Sequence, residues 1–121
     1  VKTNLNLLAV SRHDPNKRID VIIKSIPYLL KNNINPLLTI GGVGEDTPYL
    51  KSIVKKLKIK KYVEFKGYIN ESLMKNYYKN SDILISIDWG DFRLTTYEAL
   101  LYKLRVIVSD DTSHSQILNS G

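Results

Sequence analysis

The sequence contains no cysteine, one methionine and one tryptophan among its 121 residues. Without cysteine there can be no disulfide, no cysteine-built zinc site and no thiol chemistry. No hydrophobic run approaches the ~20 residues that a membrane-spanning helix needs, and no secretory signal opens the chain. We therefore expect a cytoplasmic protein that touches a membrane only peripherally, if at all.

Several nucleotide-binding and catalytic motifs are also missing. The loop after the first predicted strand contains no glycine, so the phosphate-binding glycines of a dinucleotide fold are absent, and there is no Gly-Lys-Ser/Thr cradle. The histidines, His13 and His114, and the aspartates are dispersed without metal-ligand spacing, and the serines lack a nucleophile-elbow setting. These absences disfavour NAD-type and P-loop proteins and give little support to metal or acid–base chemistry.

The composition is that of an ordinary globular chain. Hydrophobic residues make up 43% and charged residues 25%, so disorder is disfavoured, and the length suits a single domain with a real core. The net charge of +6 would suit nucleic acid or an anionic membrane, and equally a binder of phosphorylated small molecules. Six lysines lie between Lys51 and Lys61, where a solvated face of an amphipathic helix is the favoured interpretation.

Apolar runs and helical patterns alternate along the chain. Strands are predicted at 5–10, 36–40, 62–65, 83–87 and 106–109. Helices are predicted at 18–32, with a kink or break at Pro27, from Thr47 to about Lys58, after a cap at Asn70, from about Leu94, and at 113–118. This alternation predicts an α/β fold, a Rossmann-like parallel sheet of about five strands with helices on both faces.

Ligands of open parallel sheets bind at the carboxyl ends of the strands, so the loops there are the candidate sites. Arg12 and Lys17 flank the polar turn after the first strand and could hold a diphosphate, although solvated surface charges are also compatible. His13 between them could point into the cleft, but an ordinary exposed histidine is the plainer interpretation. Gly42 belongs to the loop Gly41–Gly44, which either lets backbone approach a ligand or forms a simple tight turn.

A second candidate loop follows the fourth predicted strand. The next helix begins near Leu94 and would aim its free backbone N–H groups into the crevice. Glu98, just beyond the first turn, can accept hydrogen bonds from two neighbouring hydroxyls of a ribose or hexose. From this stretch alone, a surface glutamate on an ordinary helix is the favoured interpretation.

Four stretches carry a family resemblance: SRHDPNKRID, TIGGVGEDTPYL, YVEFKGYI and DFRLTTYEAL. Together they resemble the donor-binding half of a retaining GT-B glycosyltransferase, the large family that includes sucrose and mannosyl transferases. The resemblance covers nearly the whole chain, in order. It implies a hexosyltransferase that moves a sugar from a nucleotide-diphospho-sugar, such as a UDP- or GDP-sugar, to an unknown acceptor with retained configuration. We expect no cofactor, and no metal is needed if positively charged side chains stabilise the leaving group.

The resemblance also implies residue roles. Arg12 and Lys17 would contact the donor diphosphate and act catalytically by stabilising the leaving group. Val63 would lie against the nucleotide base, and Gly67 fits the glycine that follows it. Glu98 would hold the ribose hydroxyls. The other implied donor-binding residues are Gly42, Asp91, Phe92, Arg93, Leu94 and Thr95, the last two through their amides.

The sequence departs from the family pattern where the transferred sugar binds. Gly90 stands in place of the first glutamate of the family motif, and Arg93 replaces the glycine after Phe92. Asp91 or Asp88 could substitute through a shifted loop, Arg93 could select an acidic sugar, or the domain could bind donor poorly. The nucleotide contacts are unaffected by these departures.

We expect residues 1–121 to form one Rossmann-like donor-binding domain, a fragment that lacks the N-terminal acceptor-binding domain and the final helix. Such a fragment should bind nucleotide weakly and be inactive alone. Two alternatives stay open. One is a non-catalytic interaction or anion-binding module of the same fold. The other is a basic nucleic-acid-binding domain that uses the lysine-rich helix, which we disfavour, so we expect no nucleic-acid partner.

Overall fold

The computed structural model describes residues 3–86 and 105–108. Its strands are β1 Thr3–Val10, β2 Ile34–Gly41, β3 Val63–Gly67, β4 Ile83–Ser86 and β5 Arg105–Val108. Its helices are α1 Ile19–Lys24, α2 Ile26–Lys31, α3 Thr47–Leu57 and α4 Glu71–Asn80, with short 3-10 helices at Pro15–Lys17 and Lys60–Tyr62. The predicted helices near Leu94 and at 113–118 lie outside the described residues. Among the helices described, none has the length and apolar character to cross a membrane.

The strands form one parallel sheet in the order β3-β2-β1-β4-β5. The chain steps outward from β1 through β2 to β3 and then returns to place β4 on the other side of β1. This reversal creates a topological switch point between β1 and β4, the place where open α/β sheets bind ligands. The predicted α/β class and the Rossmann-like parallel sheet are confirmed.

Helices cover both faces of the sheet, because alternate residues of a strand point to opposite sides. Leu7 and Ala9 of β1 pack in the larger core cluster with buried residues of α1 and α3. Leu8, between them, packs with Met74 and Tyr78 of α4 in a second cluster. The three-layer arrangement predicted from the sequence therefore holds.

The first predicted helix is two helices, and Pro27 explains the break. A proline in a helix interior would lack the N–H that continues the hydrogen-bond ladder, but in a first turn that N–H has no partner anyway. The chain accordingly ends α1 before Ser25 and restarts α2 with Pro27 in its first turn. The Ser25 N–H still donates to the carbonyls of Val21 at 3.2 Å and Ile22 at 3.1 Å.

The predicted starts of α3 and α4 are correct in position but not in every contact. Asn70 caps α4, its side-chain oxygen accepting from the N–H of Leu73 at 3.0 Å. Asp46 precedes α3 as predicted, and Pro48 lies in the first turn, but the Asp46 side chain makes no capping hydrogen bond. Leu57 of α3 and Leu73 of α4 are 37% and 48% exposed.

Candidate functional site

The loop after β1 brings two predicted site residues to the switch point. Arg12 is exposed and Lys17 is half-buried, and both follow the carboxyl end of β1. Between them Asp14 starts the 3-10 helix Pro15–Lys17, accepting at its side chain from the N–H of Asn16 at 3.0 Å. Proline is suited to the position after such a cap because its φ is fixed at a helical value. This local structure holds both cations on one short loop at the carboxyl edge of the sheet.

The other side of the switch point follows β4, which ends at Ser86. The polar break and helix predicted after it lie outside the described residues. Their positions relative to Arg12 and Lys17 therefore remain predictions. The residues concerned are Asp91, Phe92, Arg93, Leu94, Thr95 and Glu98.

His13 is buried, with 1% of its surface exposed, so the expectation of an exposed histidine was wrong. Its Nε2 lies 3.2 Å from the carbonyl oxygen of Gly41, and its Nδ1 lies 2.6 Å from Oγ1 of Thr47. A carbonyl can only accept, so these partners assign the proton to Nε2, and Nδ1 accepts from the threonine hydroxyl. The same Oγ1 accepts from the N–H of Gly44 at 3.2 Å. Both ring nitrogens are thus satisfied by the loop after β2 and the start of α3.

Backbone hydrogen bonds join the same two loops. The N–H of His13 donates to the carbonyl of Val43 at 3.0 Å, and the N–H of Asp46 donates to the carbonyl of His13 at 2.8 Å. The N–H of Ser11 donates to the Gly41 carbonyl at 3.3 Å. The pairing of β1 with β2 therefore continues beyond the ends of the strands.

Two glycines allow this close approach. Gly42 has φ +97°, and a Cβ there would lie 1.9 Å from the carbonyl oxygen of Ser11. A Cβ on Gly44 would lie 2.4 Å from the carbonyl oxygen of His13. The Gly42 N–H donates to the carbonyl of Gly67 at 2.7 Å. The sequence left open whether the glycine loop approaches a ligand or forms a simple tight turn. The loop does make a close approach, but to the backbone of the loop after β1. A donor contact at Gly42 stays a prediction.

Val63 starts β3, and its side chain is buried in the larger core cluster. It also borders an open cavity of about 610 Å³ between α3 and β3, on the outer side of the sheet away from the switch point. A contact between Val63 and a nucleotide base stays a prediction. The other residues lining this cavity are Lys51, Val54, Lys55, Lys60 and Phe65.

The described residues supply positive charge to the loop but no metal-binding cluster. Within 3–86 and 105–108, no group of three or more His, Asp, Glu or Cys side chains could hold a metal ion. A guanidinium and an ammonium on one loop suit a phosphate or carboxylate, which Arg can bind with two parallel hydrogen bonds. The loop after β1 is therefore a candidate anion-binding site, and that role stays a prediction.

Comparison with known proteins identifies the family. Residues 1–121 match the family Glycosyl transferases group 1, and the chain belongs to it. An uncharacterized glycosyltransferase of Methanocaldococcus jannaschii is 29% identical over 104 residues, which cover 85% of this chain and 26% of the relative. The alpha-monoglucosyldiacylglycerol synthase of Acholeplasma laidlawii is 25% identical over 115 residues, which cover 94% of this chain and 29% of the relative. The chain thus spans only a minor part of either relative.

The fold is that of a GT-B glycosyltransferase domain. The crystal structure of the pneumococcal O-GlcNAc transferase in complex with UDP and GlcNAc superposes with a TM-score of 0.80 at 22% identity, covering 95% of this chain and 22% of that one. At this identity the likeness establishes the fold alone. The glycosyltransferase family and the GT-B type of fold predicted from the sequence are both confirmed, whereas retention and donor binding stay predictions.

Proposed function

We propose that this chain is the donor-binding domain of a glycosyltransferase and that the loop from Ser11 to Arg18 binds the diphosphate of a nucleotide-sugar. Membership of the family supports sugar transfer in general. The observation that carries the finer proposal is the position of Arg12 and Lys17. They share one short loop at the carboxyl end of β1, beside the switch point with β4.

The chemistry asked of this loop is electrostatic. As the bond between the sugar C1 and the diphosphate oxygen breaks, negative charge develops on the leaving nucleoside diphosphate. The guanidinium of Arg12 and the ammonium of Lys17 stabilise that charge, each contributing about 3 kcal/mol if well placed in a closed, dry cleft. In this proposal the two side chains act without a metal ion or other cofactor.

The donor is proposed to be a UDP- or GDP-sugar. The UDP in the pneumococcal enzyme of the same fold supports a nucleoside diphosphate donor. Retention of configuration and a preceding acceptor-binding domain in the same protein are proposed from the family resemblance. A cytoplasmic location is proposed from the composition of the sequence. Since the chain spans 26% and 29% of its two relatives, transfer is expected from the full-length protein only.

Calorimetric titration of the full-length protein with UDP, GDP, UDP-glucose, UDP-GlcNAc and GDP-mannose tests the proposal. We expect saturable binding that Arg12→Ala and Lys17→Ala each weaken by about 10- to 100-fold, since a hydrogen bond to a charged group contributes about 1.5–3 kcal/mol. Lys24→Ala is the matched control. It removes one positive charge from an exposed position at the end of α1, where the lysine pairs with Asp20 at 3.9 Å.

Two other outcomes would contradict the proposal. A folded protein that binds no nucleotide at millimolar concentration would favour a non-catalytic module of the same fold. Salt-sensitive binding of oligonucleotides, reduced by charge reversal at Lys51 and Lys55, would favour nucleic acid as the ligand.

A further inference from the structure

We propose that His13 and Thr47 are positioning residues for the donor site. Hydrogen bonds of the buried His13 ring fasten the loop after β1 to the end of β2 and the start of α3, and so set the place of Arg12 and Lys17. This inference rests on the proposed function, because the two cations matter here only as ligands of the donor diphosphate.

The hydrogen bonds of the two side chains run in one direction, from the loop after β2 through Thr47 and His13 to the end of β2. The N–H of Gly44 donates to Thr47 Oγ1, the Thr47 hydroxyl donates to Nδ1 of His13, and Nε2–H of His13 donates to the carbonyl of Gly41. His13 is 1% exposed, so its ring does not meet a ligand and can act only through the loop it holds. The ring of Phe65, 6.4 Å away and edge-on, packs against it. A polar network around a buried ring, with both ring nitrogens satisfied, specifies one arrangement.

His13, the residue held by these hydrogen bonds, directly follows Arg12 in the sequence. Backbone hydrogen bonds on both sides of His13, to Val43 at 3.0 Å and from Asp46 at 2.8 Å, fix its peptide groups as well as its ring. Consecutive Cα atoms are about 3.8 Å apart and each residue has only two soft dihedrals, so little freedom is left to the Arg12 backbone. The fixed point therefore constrains where the guanidinium can reach.

The segment from His13 to Lys17 is also short, and hydrogen bonds within it fix its backbone. Asp14 follows His13 and caps the 3-10 helix, its side chain accepting from Asn16 at 3.0 Å. The N–H of Lys17 donates to the Asp14 carbonyl at 3.1 Å. A shift of the fastened residue would therefore be carried to both cations, and a displacement of about 1 Å is enough to impair a positioned charged contact.

Thr47→Val removes the hydroxyl and keeps the shape of the side chain. In the full-length protein we expect it to weaken UDP binding about tenfold. Thr47→Ser, which keeps the hydroxyl, should restore the affinity. The matched control is Ser52→Ala, which removes a hydroxyl from the exposed side of the same helix, where it donates to the carbonyl of Tyr49. UDP affinity is measured by calorimetry, with the thermal midpoint recorded for each variant.

A double-mutant cycle separates positioning from general stability. If Thr47 acts through the two cations, Thr47→Val should cause no further loss of UDP affinity in an Arg12→Ala/Lys17→Ala background. The same loss in both backgrounds, or no loss in the wild-type background, would overturn the inference while Arg12→Ala still weakens binding. His13→Gln, which keeps a donor toward Gly41 but lacks the Nδ1 acceptor, provides the same readout if Thr47→Val fails to fold. A wild-type protein that binds no UDP or GDP overturns the proposed function, and this inference with it.

Discussion

Gly42 shows how a single residue without a side chain can decide where two loops meet. Its φ of +97° is costly for any other residue, and the space where a Cβ would project is filled by the carbonyl oxygen of Ser11. A side chain at position 42 would therefore be disfavoured both by the backbone conformation and by a steric clash. The clash would be with Ser11, which belongs to the same loop as Arg12.

Gly42→Ala is expected to lower the free energy of unfolding by about 3 kcal/mol, since a left-handed φ and an overpacked contact each contribute on the order of 1–3 kcal/mol. Gly67→Ala is the control. Gly67 also has a positive φ of +67°, but nothing lies within 4 Å of its Cβ position, so a loss of only about 1 kcal/mol is expected. Urea denaturation measures both. Equal losses in the two variants would mean that the contact with Ser11 does not constrain the loop.

The positions of Arg12 and Lys17 could be predicted from the sequence better than the contacts that hold their loop in place. Arg12 and Lys17 could be located because they directly follow an apolar strand, and that relation is local. The burial of His13 could not be predicted from its neighbours, because its partners Thr47 and Gly41 are 34 and 28 residues away. The one available signal was the run Gly41–Gly44, which permits a close backbone approach without revealing to what.

The start of α4 is the clearest case in which local sequence determines a helix boundary. Asn70 has an extended backbone, and its side chain accepts from the N–H of Leu73 at 3.0 Å, satisfying one of the free donors of the first turn. Glu71 in the first turn adds a favourable charge for the helix dipole.

Asn70→Ala should therefore lower the free energy of unfolding by about 1 kcal/mol, while Asn70→Asp, which keeps an oxygen acceptor, should cost a few tenths at most. Chemical denaturation followed by circular dichroism provides the comparison. If the alanine and aspartate variants were equally destabilised, the side-chain cap would not contribute to stability.

The boundaries of β2 could be predicted only in part. The strand is predicted from its apolar run to begin at Pro36, and a proline in a strand usually marks its first residue or an edge. It begins at Ile34, and Pro36 pairs with Leu5 on one side only, because β3 joins β2 no earlier than Leu38. The tolerance for proline thus depends on where a neighbouring strand starts, which lies outside the local sequence.

The strand order governs where the whole molecule can bind a ligand. Alternating strands and helices predicted a parallel sheet covered on both faces, but nothing local determines that β4 lies beside β1. That pairing depends on which face α4 covers, and α4 packs on the face opposite α1 and α3. The switch point, and with it the importance of the loop after β1, follows from this arrangement.

The net charge of +6 raises the question whether nucleotide binding would reflect a general attraction or a local contact. Lys55→Glu with Lys58→Glu lowers the net charge by four, from +6 to +2. These residues lie roughly 12 and 16 Å along α3 from Thr47 at 1.5 Å per residue, beyond the Debye length of about 8 Å in physiological salt. We expect UDP affinity to change less than about threefold, whereas Arg12→Glu, with half that change in charge, should lower it by at least about 100-fold. Comparable losses in the two proteins would indicate a general electrostatic effect.

A crystal structure of the full-length protein with bound UDP or GDP is the most direct test of the donor-binding role of the loop after β1. We predict that the diphosphate lies at the carboxyl ends of β1 and β4, with oxygen atoms about 2.7–3.1 Å from the guanidinium of Arg12 and the ammonium of Lys17. A nucleotide bound elsewhere, or with its phosphates beyond the reach of both side chains, would contradict that role.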